Sequence, residues 1–419
     1  MNNDAPNSAH AGPLTGLTIL DMTLALAGPY ATFLLAALGA RVIKIENPGS
    51  PDPCRENSPF LGRHGVSLGR SSAEDVSISE LNRLRGKYAV TLDLKREGSR
   101  DVFADLVHQA DIIVENFSPG AMDRLGVNYA FAKALNPRII YCSISGYGAG
   151  RTTGSGKAMD SIIQALSGLM MTSGSPEEPP VRVGVPFADL LAPAFAVIGV
   201  LAALRQRDVT GQGQHVDVSM LGVLSSLVAT EPFDILEACG IPQRTGRTVP
   251  RLAPFGIFES ADGYVAICAP TEQFARGVFA AMGRTDLAAD PRFSTRDARV
   301  ENVEAMHSCL EAFTRTLPTA EVVHLLESNG VPAAAVRSPA DAVRDPRVMS
   351  RRETVPVEHP QFGRVADVMG PGLPICFSGG DTATTRPAPA IGQDNELVYG
   401  EWLGYDAATL ARLRAAGNI

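Results

Sequence analysis

Between residues 17 and 146 short apolar runs alternate with amphipathic stretches. Residues 17–23, 41–46, 89–94, 111–116 and 138–145 are rich in Val, Ile, Leu and Thr and read as strands. Residues 27–38 open with Gly28 and Pro29, and proline suits the first turn of a helix. Residues 98–109 set Val102, Phe103, Leu106 and Val107 on one face at helical spacing. Strands alternating with helices predict a parallel sheet covered on both faces, a doubly wound, Rossmann-like α/β domain.

Further along the pattern changes. A Gly/Ser/Pro-rich stretch, 151–184, surrounds a short helix at 159–171, and an apolar helix follows, ending near Arg205. A turn at 210–214 leads to a strand at 215–219 and a helix over 220–239. Residues 255–259 and 264–268 flank Ser-Ala-Asp-Gly, a hairpin signal. Helices at 271–282, 299–316 and 319–329 and a strand at 331–336 complete a smaller α+β unit. The expected division is a lead at 1–13, a large domain from 14–224, a small domain at 225–335, and a Pro-rich segment, 336–419, that returns to the large domain through short strands and a helix at 407–416.

Two stretches resemble membrane spans. Residues 24–40 are short for a bilayer, which takes about 20 apolar residues, and are interrupted by Gly28 and Pro29. Residues 185–204 contain Pro186, Asp189 and Pro193, and an ionisable group within a membrane is expensive. Both read as buried helices of a soluble protein with no membrane partner.

A chain of 419 residues, 45% hydrophobic, is long enough for the cores of two or three domains. Its net charge of −8 argues against a nucleic-acid partner, which needs a basic face. The six cysteines lie far apart without metal-ligand spacing, so they read as reduced packing residues and no metal is expected. Residues 1–13 lack a positive n-region and an apolar h-region, so they read as a disordered lead, and the expected location is cytoplasmic. The turn after the first strand has no G-x-G-x-x-G, no phosphate-loop motif occurs, and the Gly-rich run starting at Gly146 has the wrong spacing, so NAD is not expected. The seven histidines fall in no triad context and no G-x-S-x-G is present.

Asp189 is the outlier, an acid opening an apolar helix. It reads as a helix cap, because Asp oxygens accept orphan backbone N–H bonds. The same physics allows a second reading as a nucleophile, a carboxylate held ionised and oriented by the helix dipole and open to a cleft, but local pattern alone favours the cap.

Several segments in order resemble the class III CoA-transferases. They include LDMT at 20–23 with AGP at 27–29, LGARVIKIE at 38–46, RGKYAVTLDLK at 85–95, ADIIVENF at 110–117, PGAMDRLG at 119–126 and TGQGQ at 210–214. The resemblance runs from about residue 14 to the C-terminus. It implies that Asp189 is the catalytic carboxylate of an acyl-CoA:carboxylate CoA-transferase, working through an anhydride and an aspartyl-CoA thioester. Coenzyme A would be held as acyl-CoA by Ala25, Leu92, Asn116, Phe117, Ala121, Arg124 and Lys157. Arg124 and Lys157 are the phosphate ligands in this reading. Arg85, Lys87 and Lys95 rank lower as sources of positive potential. The resemblance also implies an interlocked dimer, either a homodimer or a heteromer with a homologous subunit.

Four positions depart from the family. The position beside adenine, often Arg, is Asn47. Met159 stands where the racemase branch has a histidine base, which disfavours an acyl-CoA racemase or epimerase; Asp160 keeps the family's acid, with a helix cap as one role. Pro193 replaces a common glycine, as a residue tolerable in a first helical turn. A glycine-only loop is replaced by the segment containing Arg244, Arg247 and Arg251, which disfavours formyl transfer to oxalate. Arg247 or Arg251 could grip the distal carboxylate of a dicarboxylic acceptor, with succinyl-CoA as donor; exposed loop arginines are the competing reading. A non-catalytic CoA-binding subunit is the remaining alternative, opposed by Asp189.

Overall fold

The computed structural model of the chain describes residues 12–149, 157–380, 382 and 386–419. Most of the lead expected at 1–13 lies outside them. Contacts group the chain into two compact units. The first comprises 1–167, 184–227 and 343–419; the second comprises 168–183 and 228–342.

The first unit is built on six parallel strands: β1 (Thr18–Asp21), β2 (Arg41–Glu46), β3 (Lys87–Thr91), β4 (Ile112–Glu115), β5 (Ile140–Ser145) and β6 (His215–Ser219). Their order is β3-β2-β1-β4-β5-β6, the Rossmann order. Seven helices of this unit matter below: α1 (Ala27–Ala37), α2 (Ile78–Arg83), α3 (Ser99–His108), α4 (Ala121–Leu125), α5 (Tyr129–Leu135), α6 (Asp160–Leu166) and α7 (Phe187–Thr210). Leu20, Ile43, Val90 and Ile113 of the sheet pack with Phe103, Leu106 and Val107 of α3. Val398, Tyr399, Leu410 and Leu413 join the same core, so the C-terminal segment is part of this unit.

That segment also closes an edge of the sheet. Asp394 Oδ2 accepts from Ala89 N at 2.8 Å and Asn395 Oδ1 from Thr91 N at 2.9 Å. Unpaired edge groups invite association, and here side chains occupy them.

α7 is the one helix among the described residues long and apolar enough to cross a bilayer. Its Ala188, Ala192, Ala196, Val200 and Ala203 are buried. A Cβ on Gly199 would meet Val216 Cγ1 at 2.6 Å, so glycine lets the helix lie close on β6. α7 runs to Thr210, five residues beyond the expected end, where Gly211 in a left-handed conformation stops it. Pro193 sits in the second turn and not the first. It has no N–H for the Asp189 carbonyl four residues back, so one helical bond is missing beside that residue.

The helix expected over 220–239 is two, Met220–Val228 and Phe233–Ala238, with Pro232 at the break. The second unit has a three-stranded antiparallel sheet, β7 (Phe255–Glu259), β8 (Tyr264–Cys268) and β9 (Ala333–Ala335), in that order. Four helices, Glu272–Ala281, Arg296–Glu301, Val303–Thr314 and Thr319–Ser328, pack around it. Its core includes Phe258, Ile267, Phe279, Met306 and Leu310.

Candidate active site

A cleft of about 330 Å³ opens at the carboxyl ends of β1, β4 and β5. Open parallel sheets take their ligands there, where the strand order reverses. One wall is the β1–α1 loop, Leu24 to Ala27; another is Asn116 to Pro119 after β4. Met159 and Asp160 at the start of α6, and Asp189 on α7, complete it.

The β1–α1 loop is held from both sides. Asn116 Oδ1 accepts from Leu24 N at 2.7 Å and Asn116 Nδ2 donates to Leu24 O at 2.9 Å. A Cβ on Gly28 would lie 2.3 Å from Thr23 Cβ and 3.0 Å from Asn116 Cγ, so that contact requires glycine. Ala25 sits at φ +66°, a left-handed conformation that costs a non-glycine residue energy and that clusters at functional sites. Its N–H donates to Asp52 Oδ1 at 2.9 Å and its carbonyl accepts from Arg83 Nη1 at 2.9 Å.

A buried ionic cluster supports the loop from below. Lys87 Nζ donates to Asp21 Oδ2 at 2.8 Å, Thr32 Oγ1 at 2.7 Å and Pro29 O at 2.9 Å. Lys44 Nζ donates to Asp52 Oδ2 at 2.9 Å and to Thr23 O. All four charged side chains are fully buried. Burial works against the Asp21 charge, but Lys87 and Lys44 together hold its carboxyl down at about 2.

Asp189 is the third residue of α7, and Pro186 occupies the N-cap position. The cap bond comes from α6: Asp160 Oδ1 accepts from Ala188 N at 2.8 Å, while Asp160 Oδ2 accepts from Gln164 Nε2 at 2.8 Å. Asp160 therefore caps α7, and the cap reading falls away for Asp189. Its carboxylate is left at the cleft, half-buried. Burial and the Asp160 charge push it up to about 6, with Arg83 opposing them. The helix terminus does not keep it a strong acid, yet above pH 6 it is mostly the anion a nucleophile must be.

The other expected positions divide. Ala25, Asn116 and Phe117 line the cleft with Asp189. Asn116 spends its amide on the loop. Ala121 opens α4 and Arg124, in the same helix, is exposed. Lys157 is exposed at the start of the described residues that follow 149. Leu92 is 2% exposed, within the core, and does not line this cleft. Lys87 is corrected: it is an internal ion-pair partner and adds no surface potential. Asn47 donates to Asp93 Oδ1 at 2.8 Å and accepts from Gly49 N at 2.8 Å. In the second unit Arg251 pairs with Glu231 at 2.7 Å, Arg247 pairs with Glu311 at 3.4 Å, and Arg244 donates to Pro176 O at 3.1 Å. Met159 is 76% exposed and supplies no base. Among the described residues no group of three or more His, Cys, Asp and Glu could hold a metal.

Sequence reasoning missed Arg83, the cation that acts on Asp189. A helix-terminal arginine in LNR carries no local signal, and only the fold brings α2 beneath Ala25.

Three comparisons bear on this arrangement. The family model described as CoA-transferase family III matches residues 14–395. The acetyl-CoA:oxalate CoA-transferase of Acetobacter aceti is 36% identical over 400 residues, covering 94% of this chain and 97% of that protein. The succinyl-CoA:mesaconate CoA-transferase of Haloarcula hispanica is 37% identical over 382 residues, 90% of this chain and 92% of that one. Among solved structures, a CaiB/BaiF family protein from Brucella suis superposes with a TM-score of 0.79 at 32% identity, covering 93% of this chain and 99% of that one.

Proposed function

Since the chain belongs to CoA-transferase family III and is a CoA-transferase acting on CoA thioesters, we propose that it moves CoA from succinyl-CoA to a dicarboxylic acid, with Asp189 as the covalent carrier. The observation that carries this reading is the place of Asp189. A carboxylate not consumed by helix capping opens on the cleft at the strand-order reversal, between the loops that follow β1 and β4.

In this mechanism an Asp189 oxygen attacks the thioester carbonyl of the donor. The tetrahedral oxyanion collapses, the C–S bond breaks, and CoA leaves as thiolate, giving a mixed anhydride. The thiolate then attacks the Asp189 carbonyl carbon, releasing the donor acid and forming an aspartyl-CoA thioester. The acceptor carboxylate attacks this thioester to form a second anhydride. Returning thiolate takes the acceptor's acyl group and restores the Asp189 carboxylate. Holding the thiolate beside the anhydride makes each return step effectively unimolecular. The first N–H of α1, at Ala27 in the cleft wall, where Leu26 makes no side-chain cap bond, suits a developing oxyanion. Arg83 favours the ionised nucleophile. Arg124 and Lys157 remain the proposed phosphate ligands of CoA, with Ala25, Asn116, Phe117 and Ala121 around it. Arg247 or Arg251 would exchange its carboxylate partner for the acceptor's distal carboxyl.

The working form proposed is an interlocked dimer in the cytoplasm. An exposed apolar strip supports association: Phe195 and Ile198 of α7 are 43% and 60% exposed, and Ile162 and Leu166 of α6 are 51% and 57% exposed. To test the function, the purified chain is given succinyl-CoA with mesaconate, malate, benzylsuccinate or oxalate, and CoA esters are separated chromatographically. Formation of an acceptor-CoA with loss of succinyl-CoA is expected. Transfer only from acetyl-CoA would contradict the donor, and exchange of an α-proton with D₂O without transfer would favour racemisation.

A further inference from the structure

Arg85, a low-ranking source of positive potential in the sequence, stands away from the cleft. It precedes β3 by two residues, at the amino-terminal edge of the sheet, opposite the edge that carries Asp189. There it lines a cavity of about 500 Å³ between α1 and the segment from Ser350 to Pro387. No residue lining this cavity lines the Asp189 cleft.

The Arg85 residue is 93% buried, being 7% exposed. Its Nη2 donates to Pro371 O at 2.7 Å and its guanidinium lies over the Phe33 ring at 5.3 Å. Its Nε has no hydrogen-bond partner, and among the described residues no carboxylate pairs with it. Burial alone presses its pKa down to about 10, with no acid pulling the other way. A buried cation without a counter-ion is costly. The neighbouring arginines do not share that condition: Arg351 is paired with Glu353 at 2.5 Å and Arg386 with Asp394. Phe33, Val355, Leu373 and Phe377 supply apolar wall, and Glu358 adds one negative charge.

We propose that this cavity is a second ligand site, separate from the catalytic cleft, that takes a singly charged organic carboxylate with an apolar body, its oxygen accepting from Arg85. The volume lies within the range of small-molecule sites. One unpaired guanidinium matches one carboxylate. Arg351, Arg352 and Arg386 also line the cavity, so its positive field alone would admit phosphate, and the preference for an organic carboxylate rests on the apolar walls.

Cys376 lines the cavity and is exposed, which gives a local readout that binding in the catalytic cleft does not move. The full-length chain is alkylated with N-ethylmaleimide, and modification is followed by peptide mass spectrometry, with exposed Cys239 of the second unit as internal control. Hexanoate is expected to slow alkylation of Cys376 at least fivefold and to leave Cys239 unchanged. Hexanamide, of the same shape without the charge, and inorganic phosphate are expected to protect little. Arg85→Met is expected to lose the protection. The proposal is overturned by the absence of protection, the outcome if a water simply bridges Arg85 and the unpartnered Asn82 Oδ1. Equal protection by hexanamide or phosphate, protection that persists in Arg85→Met, or a Cys376 closed to reagent by a second copy of the chain would overturn it as well. Should Arg85→Met fail to fold, the hexanoate and hexanamide comparison on the unaltered chain decides.

Discussion

At the scale of the residue, Asp189 trades stability for reactivity. Its carboxyl rises from 3.8 to about 6 because burial and Asp160 oppose its charge. A carboxyl whose folded pKa exceeds its unfolded one destabilises the fold in full above pH 6, and the cost vanishes below about pH 4. Asp189→Asn is therefore expected to raise the unfolding free energy at pH 8 by about 1–3 kcal/mol at most, seen as a higher Tm, and to leave it unchanged near pH 4, while activity falls by about a thousandfold or more. Thermal scans at the two pH values check the sign. The same pKa predicts that kcat/KM falls as pH drops through 6. Arg83 opposes the rise, so Arg83→Gln should move that acid limb to higher pH; a limb that stays in place would remove Arg83 from the site. Asp189 could be picked out in the sequence because an acid in an apolar helix breaks the pattern. Arg83 could not, since its partner Ala25 is 58 positions away.

At the scale of the element, the long periodic segments were readable and the polar interior was not. The Val/Ile richness that marks β2 as a strand says nothing of Lys44, which is fully buried against Asp52. Lys87 is buried against Asp21, 66 positions away, and no local pattern reveals that pairing. Breaking such a pair leaves an uncompensated buried charge, so Lys87→Met is expected to cost about 3–5 kcal/mol in denaturant unfolding. A cost near zero would mean that Asp21 finds another donor. The break between Met220–Val228 and Phe233–Ala238 shows the converse, a proline whose local effect outweighed an apolar run. In the second unit, the expectation for the loop arginines is kinetic. Arg247→Gln or Arg251→Gln should raise KM for a dicarboxylate acceptor with little change in kcat, and an unchanged KM in both variants would leave them as surface ion pairs.

At the scale of the whole molecule, the strand-helix alternation carried the α/β class, and the Rossmann order followed once the sheet closed around β1. The use of residues 394 and 395 to satisfy β3 was invisible, because it joins positions about 300 residues apart. The apolar strip on α6 and α7 bears on assembly. Ile198→Glu is expected to impair assembly, giving less dimer in light scattering after the chain is unfolded and refolded; full recovery of dimer would contradict the proposed interface. The central claim, covalent catalysis by Asp189, has the most direct test in chemical trapping. The purified chain is mixed with succinyl-CoA and hydroxylamine, which intercepts activated aspartyl carbonyls, and its peptides are mapped by mass spectrometry. A hydroxamate on Asp189, dependent on the thioester, is the predicted result; no adduct there, together with full activity of Asp189→Ala, would contradict it.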